Sequence, residues 1–584
     1  MRYLRMFTNA VTAGVLGAIY IAVLVLILNP QVPLVSPTTV RWFGALVSFY
    51  GLHLTVAVYI VILGREVLAS RPLHPGWLSV RLLAWLGAMF AAVSAAITWA
   101  NLQGFRAVLG ESASGHMQTA AVAGTVAAVV LLGIAVLRYS FGQKGSRATG
   151  VLLTVALLAS IAVPLWVRGP GQVPVPVVRR AVTPALVAAG QSSMLASVAP
   201  RVRLLLIDGA SLGVIRDQAG AGRLPNLGRI LDRGAVMDLA TLKPTQAEPV
   251  WTAAATGKYP VKNGVRTNAV FRVSPTDTEV VDLLPDYCFA YGLVYQQYIQ
   301  AARRTRDDIR ARMLWDIMAD YGLASGIVRW PLTFPVTSAR GYLISDQFHL
   351  GTSSPLRLSD ARAGAPTSAV DIAREVFDAT TLPEATREVV AAAEAVVGDP
   401  RAQWDRVYRD VAVELEPLFA PHVTALRLTG VDAVSHADWS AGDPARPAGR
   451  RSGDAALFDA TYQDLDRQVG FELARLRPGD LLLVVSGFGM EPVTLPKRVL
   501  ARLLGAPELS GSHESAPDGF LLAFGRDVAH AELARGSIVD LAPTVLYYLG
   551  LPVGRDMDGF ARTDIFVRAY QREHPVTFIS THER

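Results

Sequence analysis

Five long apolar runs, nearly free of charge, occupy the chain before about residue 170: Ala10–Leu28, Trp42–Leu63, Leu82–Ala100, Thr119–Leu137 and Val151–Val167. Each is close to the ~20 residues that carry an α-helix across a bilayer. One such run could be a buried core helix, but five in succession predict a transmembrane bundle. Arg2 and Arg5 precede the first run as they would in a signal peptide. No small-residue cleavage site comes before Asn29-Pro30 and four more runs follow, so the first is read as a span.

The pattern then changes. Gly169-Pro170-Gly171, Pro174, Pro176 and Pro184 punctuate a stretch continued by Gln191-Ser192-Ser193, which reads as a linker with a short interfacial helix over Pro184–Ala189. The expected division is a helical domain over 1–168, a linker over 169–200 and a second domain over 201–584. From Val202 short β-rich runs alternate with amphipathic stretches, the mark of an α/β domain. Strands are expected at Val202–Ile207, Gly326–Val328, Tyr342–Ile344, Val423–Leu428 and Leu481–Val485. Helices are expected at Leu224–Gly234 and over Asp371–Val397. Between Arg303 and Arg312 five arginines mix with Asp307 and Asp308, which predicts a solvated amphipathic helix.

Composition agrees with this division. Half of the chain is hydrophobic (51%) and only 18% is charged, against about a quarter in soluble proteins. The net charge of +6 suggests an acidic partner until its placement is considered. The amino terminus, the second connection (Arg65, Arg71, Arg81) and the fourth (Arg138, Lys144, Arg147) are basic, whereas the first and third carry Arg41 and Arg106. By the positive-inside rule the amino terminus is cytoplasmic, and five crossings place everything after Val167 outside, in a periplasm or at a cell surface. The charge of the bundle thus reports topology, and no nucleic-acid partner is expected. Cys288 is the single cysteine, which excludes an intrachain disulfide and a multi-cysteine zinc site.

Open α/β sheets place ligands where strands end. Asp208-Gly209 follows the first strand, Asp432 and His436 follow the Val423–Leu428 strand, Ser486-Gly487-Phe488-Gly489 closes another, and His513 lies in a later loop. Alone, each is an ordinary turn or a solvated loop residue. Together Asp432, His436 and His513 supply one carboxylate and two imidazoles, a ligand set suited to zinc with an open position.

Several motifs carry a family resemblance. Val202-Arg-Leu-Leu-Leu-Ile-Asp-Gly209, Leu224-Pro-Asn-Leu227 and Pro244-Thr-Gln-Ala-Glu-Pro-Val-Trp-Thr-Ala-Ala-Ala-Thr-Gly257 come first. Leu314-Trp-Asp316, Trp330-Pro331, Ile344-Ser-Asp346, Asp432–Trp439, Tyr462-Gln-Asp-Leu-Asp466, Gly536–Thr544 and Asp556-Met-Asp-Gly559 follow in order. Over roughly residues 200–570 the chain resembles the type I phosphodiesterase/nucleotide pyrophosphatase branch of the alkaline phosphatase superfamily. The resemblance implies an α/β fold overall: an all-α transmembrane bundle, then a three-layer α/β/α domain with a mostly parallel sheet. It also implies two metal ions, generally zinc, and a Thr or Ser nucleophile. Asp432, His436 and His513 match the ligands of one metal, and Asp208 matches one ligand of the other.

The departures are as informative. The position of the nucleophile holds Ala247, whose methyl group cannot attack phosphorus. Gly487 and Phe488 stand where relatives have the Asp and His that complete the second metal site, and Asn263 stands where relatives often have His. The resemblance therefore leaves at most one zinc. Thr245 and Thr252 are nearby hydroxyls and Glu248 a nearby carboxylate. Each is open to a rebuilt catalytic role or to an ordinary structural one, a local turn for Thr245 and pairing with a basic neighbour for Glu248.

Three functions are consistent with this pattern. One is a binding or regulatory pseudoenzyme for a phosphorylated lipid, nucleotide or glycan, or for a membrane or envelope protein. The second is a single-zinc phosphodiesterase or headgroup phosphotransferase. The third places the function in the bundle, where the polar residues His53, Tyr59 and Thr98 are few and His53 is expected to bond to a neighbouring helix. Substrate selection is expected within Ala269–Pro421, and neither the oligomeric state nor the ligand is encoded legibly.

Overall fold

The computed structural model describes residues 1–68, 76–139, 147–171, 200–277, 279–349, 362–380, 400–443, 454–495, 497–499, 510–513 and 517–583. The expected interfacial helix at Pro184–Ala189 and the end of the Asp371–Val397 stretch lie outside them. The chain divides into two compact units: 1–177 with 269–303, and 178–268 with 304–584.

Five helices among the described residues of the first unit are long and apolar enough to cross a membrane. They are α1 (Arg2–Leu28), α2 (Pro37–Leu68), α3 (Val80–Leu109), α4 (Glu111–Tyr139) and α5 (Arg147–Arg168). The apolar runs set their positions, and caps extend them: the hydroxyls of Ser36 and Ser79 accept from the amides of Thr39 and Leu82. A π-helical turn, Val47–Gly51, interrupts α2. His53 Nδ1 meets the Phe49 carbonyl of its own helix at 2.6 Å, so the expected bond to a neighbouring helix is not the one made. The donor and acceptor are one helical turn apart, which makes the internal bond the shorter reach.

Residues 269–303 belong to this first unit. They begin and end as a hairpin, Ala269–Arg272 against Gln300–Arg303. Asn29, past the end of α1, holds the segment: its Oδ1 accepts from the amides of Asp282 and Leu283 at 2.9 and 3.0 Å, and its Nδ2 donates to the Leu283 carbonyl at 2.8 Å. Arg41 pairs with the buried carboxylate of Asp277, and Thr38 donates to Glu279.

The second unit is built on one mixed sheet. Its strands are β1 (Val202–Ile207), β2 (Ala235–Ala240), β3 (Ser325–Val328), β4 (Gly341–Ile344), β5 (Gly364–Ala365), β6 (Val423–Leu428), β7 (Leu481–Phe488), β8 (Asp518–Gly525) and β9 (Ala531–Glu532). The spatial order is β9-β2-β8-β7-β1-β6-β3-β4-β5, with Gly536–Ser537 also pairing with β2. The centre, β7-β1-β6-β3-β4, is parallel, and β8 runs antiparallel to both β7 and β2.

Every residue of β1 and β7 is buried. Leu204 and Leu206 pack into one hydrophobic cluster, and Leu205 and Ile207 into another. Strand periodicity sends alternate side chains to opposite faces, so both faces of this sheet are covered. That is the three-layer arrangement implied by the motifs.

The Arg303–Arg312 stretch is not a helix. Arg303 ends a strand and Arg306–Asp308 form a single 3-10 turn, closed by a capping box between Thr305 and Asp308. The charges find carboxylates elsewhere: Arg306 Nη2 lies 2.8 Å from both oxygens of Asp316, and Arg312 pairs with Asp320. Arg304 is buried, which a solvated helix face would not permit.

Candidate functional site

The parallel strands β1, β6 and β7 deliver their ends to one edge of the sheet, the usual ligand edge of such folds. Directly after β6 comes helix α7 (Gly430–Gly442), preceded in sequence by helix α6 (Ala247–Thr256) after β2. Asp405 anchors the start of α7. Its two oxygens accept from the amides of Thr429 and Gly430 at 2.9 and 2.7 Å, and Arg329 neutralises it. Asp432 and His436 stand one helical turn apart on α7 and so share a face.

His513 joins them through the loop beginning at Ser510, whose amide donates to the His436 carbonyl at 2.8 Å. The candidate ligand atoms of Asp432, His436 and His513 lie within 4.8 Å of one another. His436 Nε2 is 3.6 Å from one Asp432 oxygen and His513 Nε2 is 3.8 Å from the other. His436 Nδ1 donates to the Gly511 carbonyl and His513 Nδ1 to the Thr245 carbonyl, each at 3.0 Å. Because a carbonyl only accepts, each Nδ1 carries a proton and both Nε2 atoms are turned toward Asp432. Asp432 Oδ1 is buried with no hydrogen-bond partner. Burial pushes this carboxyl above its ordinary range, and the two imidazoles oppose that shift. An orphaned carboxylate oxygen and two backbone-oriented imidazoles fit a divalent cation with nitrogen affinity.

The neighbouring position is filled differently. Asp208, buried after β1, accepts from Trp251 Nε1 at 2.6 Å. Arg427, on β6 beside Leu206, closes on the same carboxylate: its Nε lies 3.2 and 3.0 Å from the two oxygens, and Nη2 also donates. Burial alone would lower the Arg427 pKa, but Asp208 reverses this and raises it, with Glu248 and Asp346 adding to the effect. The guanidinium is permanently charged and takes up the Asp208 oxygens that a cation would need. Asp208 is therefore not part of the three-residue cluster.

Gly487 and Phe488 lie against α6 and His513. A Cβ on Gly487 would come within 2.6 Å of Val250 Cγ1 and 3.3 Å of the Trp251 ring, both on α6. The Phe488 ring lies 4.8 Å from that of His513. Gly209, at φ +67°, leaves room for Asp432, which a Cβ there would approach within 2.6 Å.

Ala247 is the first residue of α6 and partly buried, and Glu248 follows in the first turn. The Thr245 hydroxyl is spent on the Leu242 carbonyl at 2.8 Å, while its own carbonyl aims His513. Thr252 is fully buried and its hydroxyl has no partner. Asn263 lies outside the cluster, buried and bonded to the Lys258 carbonyl and the Val265 amide.

Sequence reasoning passed over Arg427, Trp251 and the role of Asp346. For Arg427 a signal existed, since it is the one charge inside the mostly apolar strand Val423–Leu428. Asp346 follows β4, and burial pushes its carboxyl up to about 6 despite Arg427 nearby.

A mostly parallel sheet with acids and imidazoles gathered at one edge defines an alkaline-phosphatase-like domain. The family model for type I phosphodiesterase/nucleotide pyrophosphatase matches residues 202–515, and the chain belongs to that family. Among solved structures it is similar to murine ectonucleotide pyrophosphatase/phosphodiesterase 5, at 13% identity and a TM-score of 0.36, over 63% of this chain and 100% of that one. An inactive variant of the murine protein in complex with AMP matches with the same figures. No curated protein matches the sequence.

Proposed function

We propose that this protein is a membrane-anchored, extracytoplasmic phosphodiesterase-like pseudoenzyme that binds a phosphorylated lipid, nucleotide or glycan through a single metal. The Arg427–Asp208 pair carries this reading, because a fixed guanidinium occupies the carboxylate on which a second cation would depend. Two-metal phosphoryl transfer needs cations on both the attacking and the leaving oxygen. Ala247 removes the hydroxyl that would attack. Asp432, His436 and His513 would hold one zinc ion, and when bound it would supply a Lewis acid for a phosphate oxygen. Arg427 holds Asp208 neutralised without a metal ion, Trp251 fixes its orientation, and the Phe488 ring packs against that of His513.

The basic connections support an amino terminus in the cytoplasm, with the phosphodiesterase-like domain in a periplasm or at a cell surface. A membrane or envelope protein partner is a further expectation of a non-turnover role.

The reading is tested on full-length protein in lipid nanodiscs, by bound zinc and by hydrolysis of bis(p-nitrophenyl) phosphate. One zinc per chain without turnover is the expected result. Turnover that Asp432→Ala abolishes would overturn the pseudoenzyme reading in favour of a single-zinc hydrolase. Absence of bound zinc would overturn the metal assignment.

A further inference from the structure

The part of the inserted segment between its hairpin strands packs beside the helices at the level where their apolar runs end. Asn101 immediately follows the apolar run Leu82–Ala100, and its Oδ1 accepts from the Asp286 amide at 2.9 Å. Phe49 and Tyr50 lie several residues inside the second run, Trp42–Leu63, yet they pack with Ala290, Leu293 and Ile299. The rings of Phe49 and Tyr298 are 5.4 Å apart, edge to face. Gly292 must be small there, since a Cβ would stand 2.9 Å from Phe49 Cζ. The segment thus reaches below the ends of the apolar runs.

At that level it leaves three aromatic side chains outside: Tyr287 is 77% exposed, Phe289 69% and Tyr295 85%. Tyr287 and Phe289 hold φ of 65° and 55°, a left-handed region that bulky residues rarely adopt. The backbone meanwhile satisfies itself: amides of Gly292, Leu293, Gln296 and Tyr298 donate to the carbonyls of Phe289, Ala290, Gly292 and Leu293 at 2.9 to 3.1 Å. Irregular chain is tolerated at membrane depth when its polar groups are met in this way and it is packed on protein. At the same end of the bundle, Trp166 of α5 is 82% exposed, and Arg168 Nε donates to the Leu26 carbonyl at 2.7 Å.

We infer that residues 284–299 form an interfacial hook, with Tyr287, Phe289 and Tyr295 seated in the headgroup region of the outer leaflet. The occupant of this aromatic face is phospholipid. The hook lies alongside the lipid-facing helices, and tyrosine and tryptophan are the residues that membrane interfaces favour. The inference rests on the membrane reading of the five helices.

Nitroxide labels on single cysteines in nanodisc-embedded full-length protein test it. Tyr295→Cys and Phe289→Cys report the hook, Val129→Cys on α4 reports lipid and Arg216→Cys reports water. Cys288→Ala provides the background; should that variant misfold, the wild-type background serves, because Cys288 is buried. Expected at both hook positions are an oxygen accessibility between those of Val129 and Arg216 and an access to a nickel chelate several-fold below that at Arg216 but above that at Val129. Hook labels as open to nickel as Arg216, or shielded from both reagents as by a protein neighbour, would overturn the hook and leave the anchor standing. A Val129 label that reads as water would overturn both.

Discussion

The guanidinium of Arg427 forks onto the carboxylate of Asp208, with Nε at 3.2 and 3.0 Å from its two oxygens, inside the edge of the central sheet. A buried ion pair that loses one partner leaves an uncompensated charge, which costs roughly 3–5 kcal/mol. Arg427→Leu is therefore expected to lower the thermal midpoint markedly. The double variant Arg427→Leu with Asp208→Asn should recover much of the loss, because residues in contact do not contribute additively. Midpoints that fall additively in the double variant would contradict the pairing.

The same pair bears on any attempt to restore the family's chemistry. Ala247→Thr, Gly487→Asp and Phe488→His together return the missing groups. However, Arg427 still occupies Asp208, and Val250 stands 2.6 Å from the added Cβ at position 487. The triple variant is expected to bind one zinc and remain inactive. Adding Arg427→Ser and Val250→Ala is expected to raise the count to two, as read by elemental analysis. Two zinc ions in the triple variant would show that the guanidinium is no barrier.

For the three-residue cluster, His436→Ala and His513→Ala should each reduce bound zinc from one per chain to near zero, since two ligands seldom retain the ion. Glu248→Gln should leave zinc content unchanged, because its charge acts on Arg427 and Asp346. Zinc content is measured after dialysis against a weak chelator. Retention by both histidine variants would place the metal elsewhere.

Asp346 gives the stability a pH dependence of definite sign. Its folded pKa, raised to about 6 mainly by burial, lies above the ordinary value of 3.8. The unfolded chain therefore releases its proton first as pH rises. Stability is lost between about pH 4 and pH 6 and changes no further above that window. Asp346→Asn should match the wild type below pH 4 and exceed it above pH 6, in thermal melts run with chelator to remove metal. An equal difference at every pH would mean that the carboxyl is not responsible.

How far these features could be read from sequence varied with their range. Val202–Ile207 and Val423–Leu428 end at the expected residues because a central strand of a covered sheet writes a short, mostly apolar run, broken here by Arg203, Thr424 and Arg427, with clear stops. The cluster of Asp432, His436 and His513 was legible because its residue types declare their chemistry. Arg427 was legible only as a lone charge in a strand, since nothing local says that a strand arginine turns toward the end of the neighbouring strand. The Arg303–Arg312 stretch misled for a related reason: alternating charge predicts a solvated helix only when the charges answer one another. Here Arg306 and Arg312 answer Asp316 and Asp320. Residues 269–303 carry no local sign that they belong with the helices, because contacts more than 200 positions apart in sequence decide it.

Asn29 is the residue on which that last arrangement can be tested. It lies past the end of α1, fully buried, and its side chain makes three of the bonds that hold Asp282 and Leu283. Alanine would take their partner from two amides and from the carbonyls of Leu283 and Val25 at once, each worth about 1–3 kcal/mol when left buried without a partner. Asn29→Ala is expected to release the segment and loosen the last turn of α1, where Nδ2 also caps the Val25 carbonyl at 2.8 Å, while the other helices, whose bonds it does not touch, stay folded. Hydrogen exchange at the Asp282 and Leu283 amides should accelerate by orders of magnitude, while exchange within α3 and α4 stays slow. Asn101→Ala should act more narrowly, exposing the Asp286 amide and leaving the other two protected. If Asn29→Ala left the Asp282 and Leu283 amides as protected as before, the segment would be held by its apolar contacts alone.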